Sequence, residues 1–190
     1  MRTVISFMVT TLDGYVEGPN GEFDWPTVDD EFYKFSIEQL DEIDTLLFGR
    51  VGYEGMASYW PTEQARSDDP AVAALMNRVA KVVFSSTLDS AGWNNTRLFK
   101  GSATDEVAGL KQRPGKAMAI FGSPNLAVSL MAAGLVDELR VMVMPILLGA
   151  GRSLYDALDR RVRVQHLGTR TFDNGNVLIT YRPLIEGPAS

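Results

Sequence analysis

One alternation constrains this chain more than any other feature. Short apolar runs rich in β-branched residues lie at 3–11 (TVISFMVTT), 45–49 (TLLFG), 81–86 (KVVFSS) and 117–122 (AMAIFG). Between them the apolar residues recur at helical spacing. From Asp29 onward, Phe32, Phe35, Leu40 and Ile43 fall on one side of a helix, with acidic residues at its start to suit the dipole. "TLLFG" runs into "RVGYEGMASYW", which begins as another helical turn. Residues 68–79 offer Asp69 as N-cap and Pro70 at the first helical position. Thr104 is placed to cap a helix over 105–112, which Pro114-Gly115 stops. Ser123 is placed to cap a helix that starts at Pro124, buries Leu126, Leu130 and Ala133, and ends at Gly134. Strands alternating with helices in this way build an α/β fold with a mostly parallel central sheet flanked by helices.

The end of the chain departs from the alternation. Residues 138–149 (ELRVMVMPILLG) read as a long strand, with Pro145 marking an edge or a bulge. "VRVQHLGTRTF" and "VLITYRP" flank Asp173-Asn174-Gly175-Asn176, a hairpin turn that adds an antiparallel C-terminal hairpin. At 190 residues, positions 1–190 form one domain, large enough to bury its own core.

Composition narrows the chemistry. With no cysteine and a single histidine, His166, neither a transition-metal site nor a thiol nucleophile is expected. Acid–base work then falls to carboxylates, tyrosines or ordered water. A net charge of −6 argues against nucleic acid as a partner. No apolar run reaches the roughly 20 residues of a membrane span, and the N-terminus lacks the features of a signal peptide, so a cytoplasmic protein is expected. The Rossmann G-x-G-x-x-G, the P-loop and the G-x-S-x-G elbow are all absent.

Ligands of open parallel sheets bind at the carboxyl ends of the strands. Three strand ends here carry suitable residues: Gly49-Arg50, Ser85-Ser86 and Gly122-Ser123-Pro124-Asn125. Glycine admits close backbone approach, arginine supplies a forked permanent charge, and a helix start supplies free N–H donors. Each alone also suits an ordinary turn. Together, each after a strand, they point to a dinucleotide phosphate site. "DDEF" (29–32) offers carboxylates at a helix start, and Trp25, beside Pro26, is the tryptophan placed to line a pocket.

The order of "TLDGYVEG", "TLLFGRVGYE", "KVVFSSTL", "FGSPNLAVSLMAAGLVDEL" and "PILLGAGRSLY" resembles the dihydrofolate reductase-like superfamily, and most closely its riboflavin-biosynthesis reductase C-terminal domain branch. The resemblance covers residues 2 to about 183. It implies the dihydrofolate reductase-like fold and an NADPH site. Gly49 and Arg50 match the family's pair at the pyrophosphate and the 2′-phosphate, although a family Thr falls at Gly52. Ser85 and Ser86 match a pair near the 2′-phosphate. Gly122 and Ser123 match a Gly pair at the pyrophosphate, followed by Pro124, Asn125 and Leu126. Asn125 stands where dihydrofolate reductases can carry an Arg. Thr10 and Thr11 border the nicotinamide.

On the substrate side, matching Trp25 places Asp30 at the pterin-binding acid, with Asp29 as the cap. The riboflavin-pathway branch instead implies Asp13 and the loop 148–151. The resemblance therefore implies an NADPH-dependent reductase that transfers hydride to a small heterocycle, either pterin/folate-like or pyrimidine-like, with Asp30 catalytic. The alternative is a non-catalytic NADP(H)-binding module on the same fold. The Met-rich strand at 138–149, apolar on both faces, and the branch's habit together imply a homodimer.

Overall fold

In the computed structural model, residues 1–184 are described; residues 185–190 of the expected domain lie outside them. The elements follow in the order β1 (Val4–Thr11), β2 (Tyr15–Glu17), α1 (Asp30–Glu42), β3 (Ile43–Gly49), α2 (Arg50–Tyr59), α3 (Glu63–Asp68), α4 (Pro70–Arg78) and β4 (Ala80–Phe84). Then come β5 (Thr96–Phe99), α5 (Ala103–Lys111), β6 (Ala117–Phe121), α6 (Pro124–Ala132), β7 (Glu138–Met144), β8 (Arg152–Ser153), β9 (Arg163–Thr171) and β10 (Val177–Leu184).

Eight strands form one sheet in the order β5-β4-β3-β6-β1-β7-β10-β9. The six from β5 to β7 pair parallel, and β10 and β9 close the far side antiparallel. β2 and β8 make a separate two-stranded ribbon. The central strands are buried on both faces, which is why they read as unbroken apolar runs. Leu46, Leu47 and Phe48 of β3 are all fully buried, yet Leu46 and Phe48 join one core while Leu47 joins the other. The first core packs Phe7, Phe35, Phe48, Phe121 and Met142 beneath α1 and α4. The second packs Val4, Met8, Met118 and Ile120 against Leu126 and Leu130 of α6 and Val107 of α5.

Several details differ from the sequence expectation. α5 starts at Ala103, because Ser102 rather than Thr104 caps it, accepting from Asp105 N at 3.3 Å. β7 stops at Met144: Pro145 has no N–H to continue the ladder, and Ile146 N turns back to Met144 O. β4 ends at Phe84, leaving Ser85 and Ser86 in the turn beyond it. Three elements, α3, β5 and β8, lack a sequence signal of their own. α3 has six residues, β5 four and β8 two, too few for a period to show.

Candidate functional site

Four helices, α1, α3, α4 and α5, begin with a side-chain cap, from Asp29, Thr62, Asp69 and Ser102. α2 and α6 have none. These two start directly after β3 and β6, which are neighbours in the sheet. The N–H groups of a first turn have no intrahelical acceptor and carry the positive end of the helix dipole. Two such ends therefore stand side by side at the carboxyl edge. Ser123 occupies the N-cap position of α6 but does not cap it. Its Oγ accepts from Gly49 N at 3.1 Å and ties the end of β3 to the end of β6.

The glycines of this edge are there for space. A Cβ at Gly52 would overlap Ser123 Oγ and stand 2.6 Å from Gly122 O. A side chain at this position has no room, because the Ser123 hydroxyl fills it. Gly122 has φ +57°, and a Cβ there would press on Met56 Cε at 3.3 Å. Gly122 and Asn125 are exposed, so the backbone cradle is open to a ligand.

Charge is arranged around this cradle. Arg50 is the first residue of α2 and is exposed, but Glu54 one turn later holds its guanidinium at 2.9 Å. Ser85 Oγ accepts from Thr87 N (3.2 Å) and Leu88 N (3.0 Å), so this hydroxyl shapes the turn after β4, while Ser86 is exposed beside it. Ser85 N donates to Phe99 O, which brings the exposed Lys100 next to this turn. Sequence reasoning missed Lys100 because it follows the unrecognised strand β5; a lysine directly after "TRLF" was the available signal. Asn125 Oδ1 accepts from Arg152 Nη2 at 2.8 Å, and Arg152 Nη1 reaches Glu17 Oε1 at 3.1 Å.

The substrate candidates divide into two groups. Thr10 and Thr11 are buried and pair with Val143 and Met144 of β7. Thr10 donates to Thr11 O, and Thr11 Oγ1 donates to Asp13 at 2.6 Å while accepting from Tyr15 N. The Asp13 carboxylate also accepts from Leu148 N (3.1 Å) and Gly149 N (2.8 Å). These bonds, that from Thr11 first, hold its pKa below the ordinary carboxylate range. Asp13 and the loop 148–151 are therefore joined, with the carboxylate acting as the pin.

The second group lies on α1. Asp29 caps the helix, accepting from Phe32 N at 2.9 Å. Asp30 is exposed and makes no hydrogen bond or ion pair among the described residues. Tyr33, one turn later, has its phenol pushed up by burial and then by the charges of Asp69, Asp68 and Asp30. Across from it, Tyr59 donates to Asp68, which with burial drives its pKa up to about 12. Asp30 is thus one of three acids whose charge acts on Tyr33, whereas Phe35 is buried in the core and Phe32 packs against it. Trp25 is half-buried, edge-on to Phe23 at 5.4 Å, and its indole N–H is a buried donor without a partner. Asn176 Nδ2 donates to Thr27 O and anchors this loop to the terminal hairpin. No hydrogen bond joins Trp25 to Asp30.

A hollow of about 800 Å³ lies elsewhere, between α2, α4 and residues 92–94, lined by Tyr53, Ala57, Pro61, Ala73, Asn77 and Trp93. It uses a different side of α2 from Gly52 and Met56, which face the cradle. No cluster of His, Cys, Asp or Glu among the described residues suits a metal ion, and no described helix is long and apolar enough to cross a membrane.

Residues 2–178 match the family described as the RibD C-terminal domain. The uncharacterized protein YyaP of Bacillus subtilis (strain 168) is 34% identical over 182 residues, 95% of this chain and 94% of its own. Among solved structures, a putative riboflavin biosynthesis protein from Shewanella sp. PV-4 superposes with a TM-score of 0.73 at 22% identity, covering 96% of this chain and 99% of that one. Dihydrofolate reductase from Enterococcus faecalis, complexed with NADP(H) and RAB-propyl, gives 0.64 at 17% identity, covering 95% and 96%. These two likenesses establish the dihydrofolate reductase-like fold.

Proposed function

Since the chain belongs to the RibD C-terminal domain family, a dihydrofolate reductase-like reductase family, we propose that it is a cytoplasmic NADPH-dependent reductase acting on a small pterin-like or pyrimidine-like heterocycle. One observation carries this reading. Two uncapped helix starts, α2 and α6, sit on adjacent strand ends and are locked in register by the Gly49–Ser123 bond. That arrangement offers a dinucleotide diphosphate what it needs: free N–H donors, aligned dipoles and close backbone approach. The related fold from Enterococcus faecalis is complexed with NADP(H), which supports the same use here.

In this reading Gly122, Ser123, Pro124, Asn125 and Leu126 hold the pyrophosphate at the start of α6. Arg50, Lys100, Ser85 and Ser86 surround the 2′-phosphate. Thr10 and Thr11 border the nicotinamide. When bound, NADPH supplies the hydride. Asp30 orients the heterocycle and relays a proton through water from its exposed position. Trp25 offers its free indole N–H to the same substrate, and Asp13 sets the 148–151 loop that closes the far side.

The test is a titration of the protein with NADPH and NADH, followed by oxidation of NADPH in the presence of a panel of oxidised pterins and aminopyrimidines. Tight NADPH binding with turnover of a panel member supports the reductase reading. Binding without turnover on any heterocycle supports the non-catalytic module, and absence of binding rejects both.

A further inference from the structure

Asn125 gives the start of α6 no cation of its own, yet the structure supplies one from another segment. Arg152, on β8, lies 27 residues along the chain and places its Nη2 at 2.8 Å from Asn125 Oδ1. An arginine offers only donors, so the amide oxygen must face it. Its Nη1 reaches Glu17 Oε1 on β2 at 3.1 Å. These two bonds use two of the five guanidinium N–H groups, leaving three for a ligand. The side chain is 29% exposed, so it is held and still reachable.

The backbone is built to bring it there. Gly151 precedes Arg152, and a Cβ on it would overlap Glu17 O and meet the Tyr15 ring at 3.2 Å. Only a glycine lets β8 lie this close to β2, where Arg152 pairs with Glu17 and Ser153 with Tyr15. Asn125 is the second residue of α6, whose first-turn N–H groups have no side-chain cap.

We propose that Arg152 is a pyrophosphate-binding residue of the dinucleotide site. Its guanidinium supplies the charge that the start of α6 does not carry itself, with Asn125 as its bracket and Glu17 as the resident counter-charge that a diphosphate displaces. The assignment rests on the reading of the site given above.

Pyrophosphate is common to NADPH and NADH, whereas the 2′-phosphate is not, and this separates Arg152 from Arg50. The experiment titrates wild type, Arg152→Ala, Arg152→Lys and Glu17→Gln with both dinucleotides and without substrate. A charge-assisted hydrogen bond is worth enough for a loss of about tenfold or more. Arg152→Ala is expected to weaken NADPH and NADH by the same factor, with Arg152→Lys recovering part of the loss. Glu17→Gln frees the guanidinium and is expected to hold or tighten both affinities. If Arg152 only braced β8, Glu17→Gln would weaken binding as Arg152→Ala does, and the proposal would be overturned. Unchanged affinities in Arg152→Ala, or a loss confined to NADPH, overturn it as well. Wild type that binds neither dinucleotide removes the underlying reading and the proposal together, an outcome distinct from the others.

Discussion

Arg50, proposed above to meet the 2′-phosphate, is already engaged with Glu54. Both side chains are about half exposed, so the pair is worth little in water and yields to a phosphate dianion. Arg50→Ala is expected to weaken NADPH about tenfold or more while changing NADH little. Glu54→Gln should move NADPH affinity the opposite way, and equal effects on both cofactors in a fluorescence titration would argue against the 2′-phosphate assignment. The two neighbouring aspartates separate in the same manner. Asp29→Ala removes a cap and should cost about 1 kcal/mol of stability, seen as a lower Tm with normal turnover. Asp30→Asn should leave Tm and NADPH affinity alone and cut turnover about tenfold or more. The cap at Asp29 was legible in the sequence, because Phe32 and Phe35 fix the phase of α1 and a helix start is a local event. The role of Ser123 was not. Its partner, Gly49 N, is 74 residues away, and nothing near Ser123 announces a bond across two strand ends. The Arg152–Asn125 contact was hidden for the same reason.

At the scale of elements, α2 and α6 act as one unit because their starts interlock. Gly52→Thr would drive its side chain into Ser123 Oγ and Gly122 O. A cost of about 1–3 kcal/mol is expected, readable by denaturant unfolding. Adding Ser123→Gly should recover part of it, since one of the two obstacles is then gone. β4 contributes a different constraint. Lys81 is fully buried, with Nζ donating to Val79 O (2.8 Å), Asn94 O (3.1 Å) and Asn77 O (3.4 Å), 4.2 Å from the Trp93 ring centre. Burial lowers its pKa from 10.5 to about 8. Between those values the unfolded chain holds a proton that the folded chain has released, so stability rises with pH there. Wild type should therefore gain on Lys81→Met as the pH is raised through this window; a constant difference would contradict the lowered pKa. The central strands and the helices other than α3 were readable from their period and from the turn residues that flank them. β5 was not, because an edge strand of four residues gains its place by pairing with β4 rather than by its own pattern.

For the molecule as a whole, the sheet is finished unevenly. Val141 and Val143 of β7 pair with Ile179 and Val177 of β10 and are half-buried, while Val164 and Leu167 of β9 stay exposed. We propose that a second copy pairs on this side. Light scattering across micromolar concentrations should give twice the mass of the 190-residue chain, and a monomer mass throughout would reject the dimer. The parallel sheet and its antiparallel finish were legible from the alternation and the Asp173–Asn176 turn. The strand order was not, since it depends on pairings that no short window contains. That order sets a timetable. β1 leaves the ribosome before every other strand of its sheet, yet its neighbours are β6, beginning its register at Met118, and β7, beginning at Glu138. An apolar strand therefore waits unpaired until the second half of the chain has been made. Nascent chains halted before Met118 have no place for β1, and chaperone capture should fall sharply only once β7 has emerged.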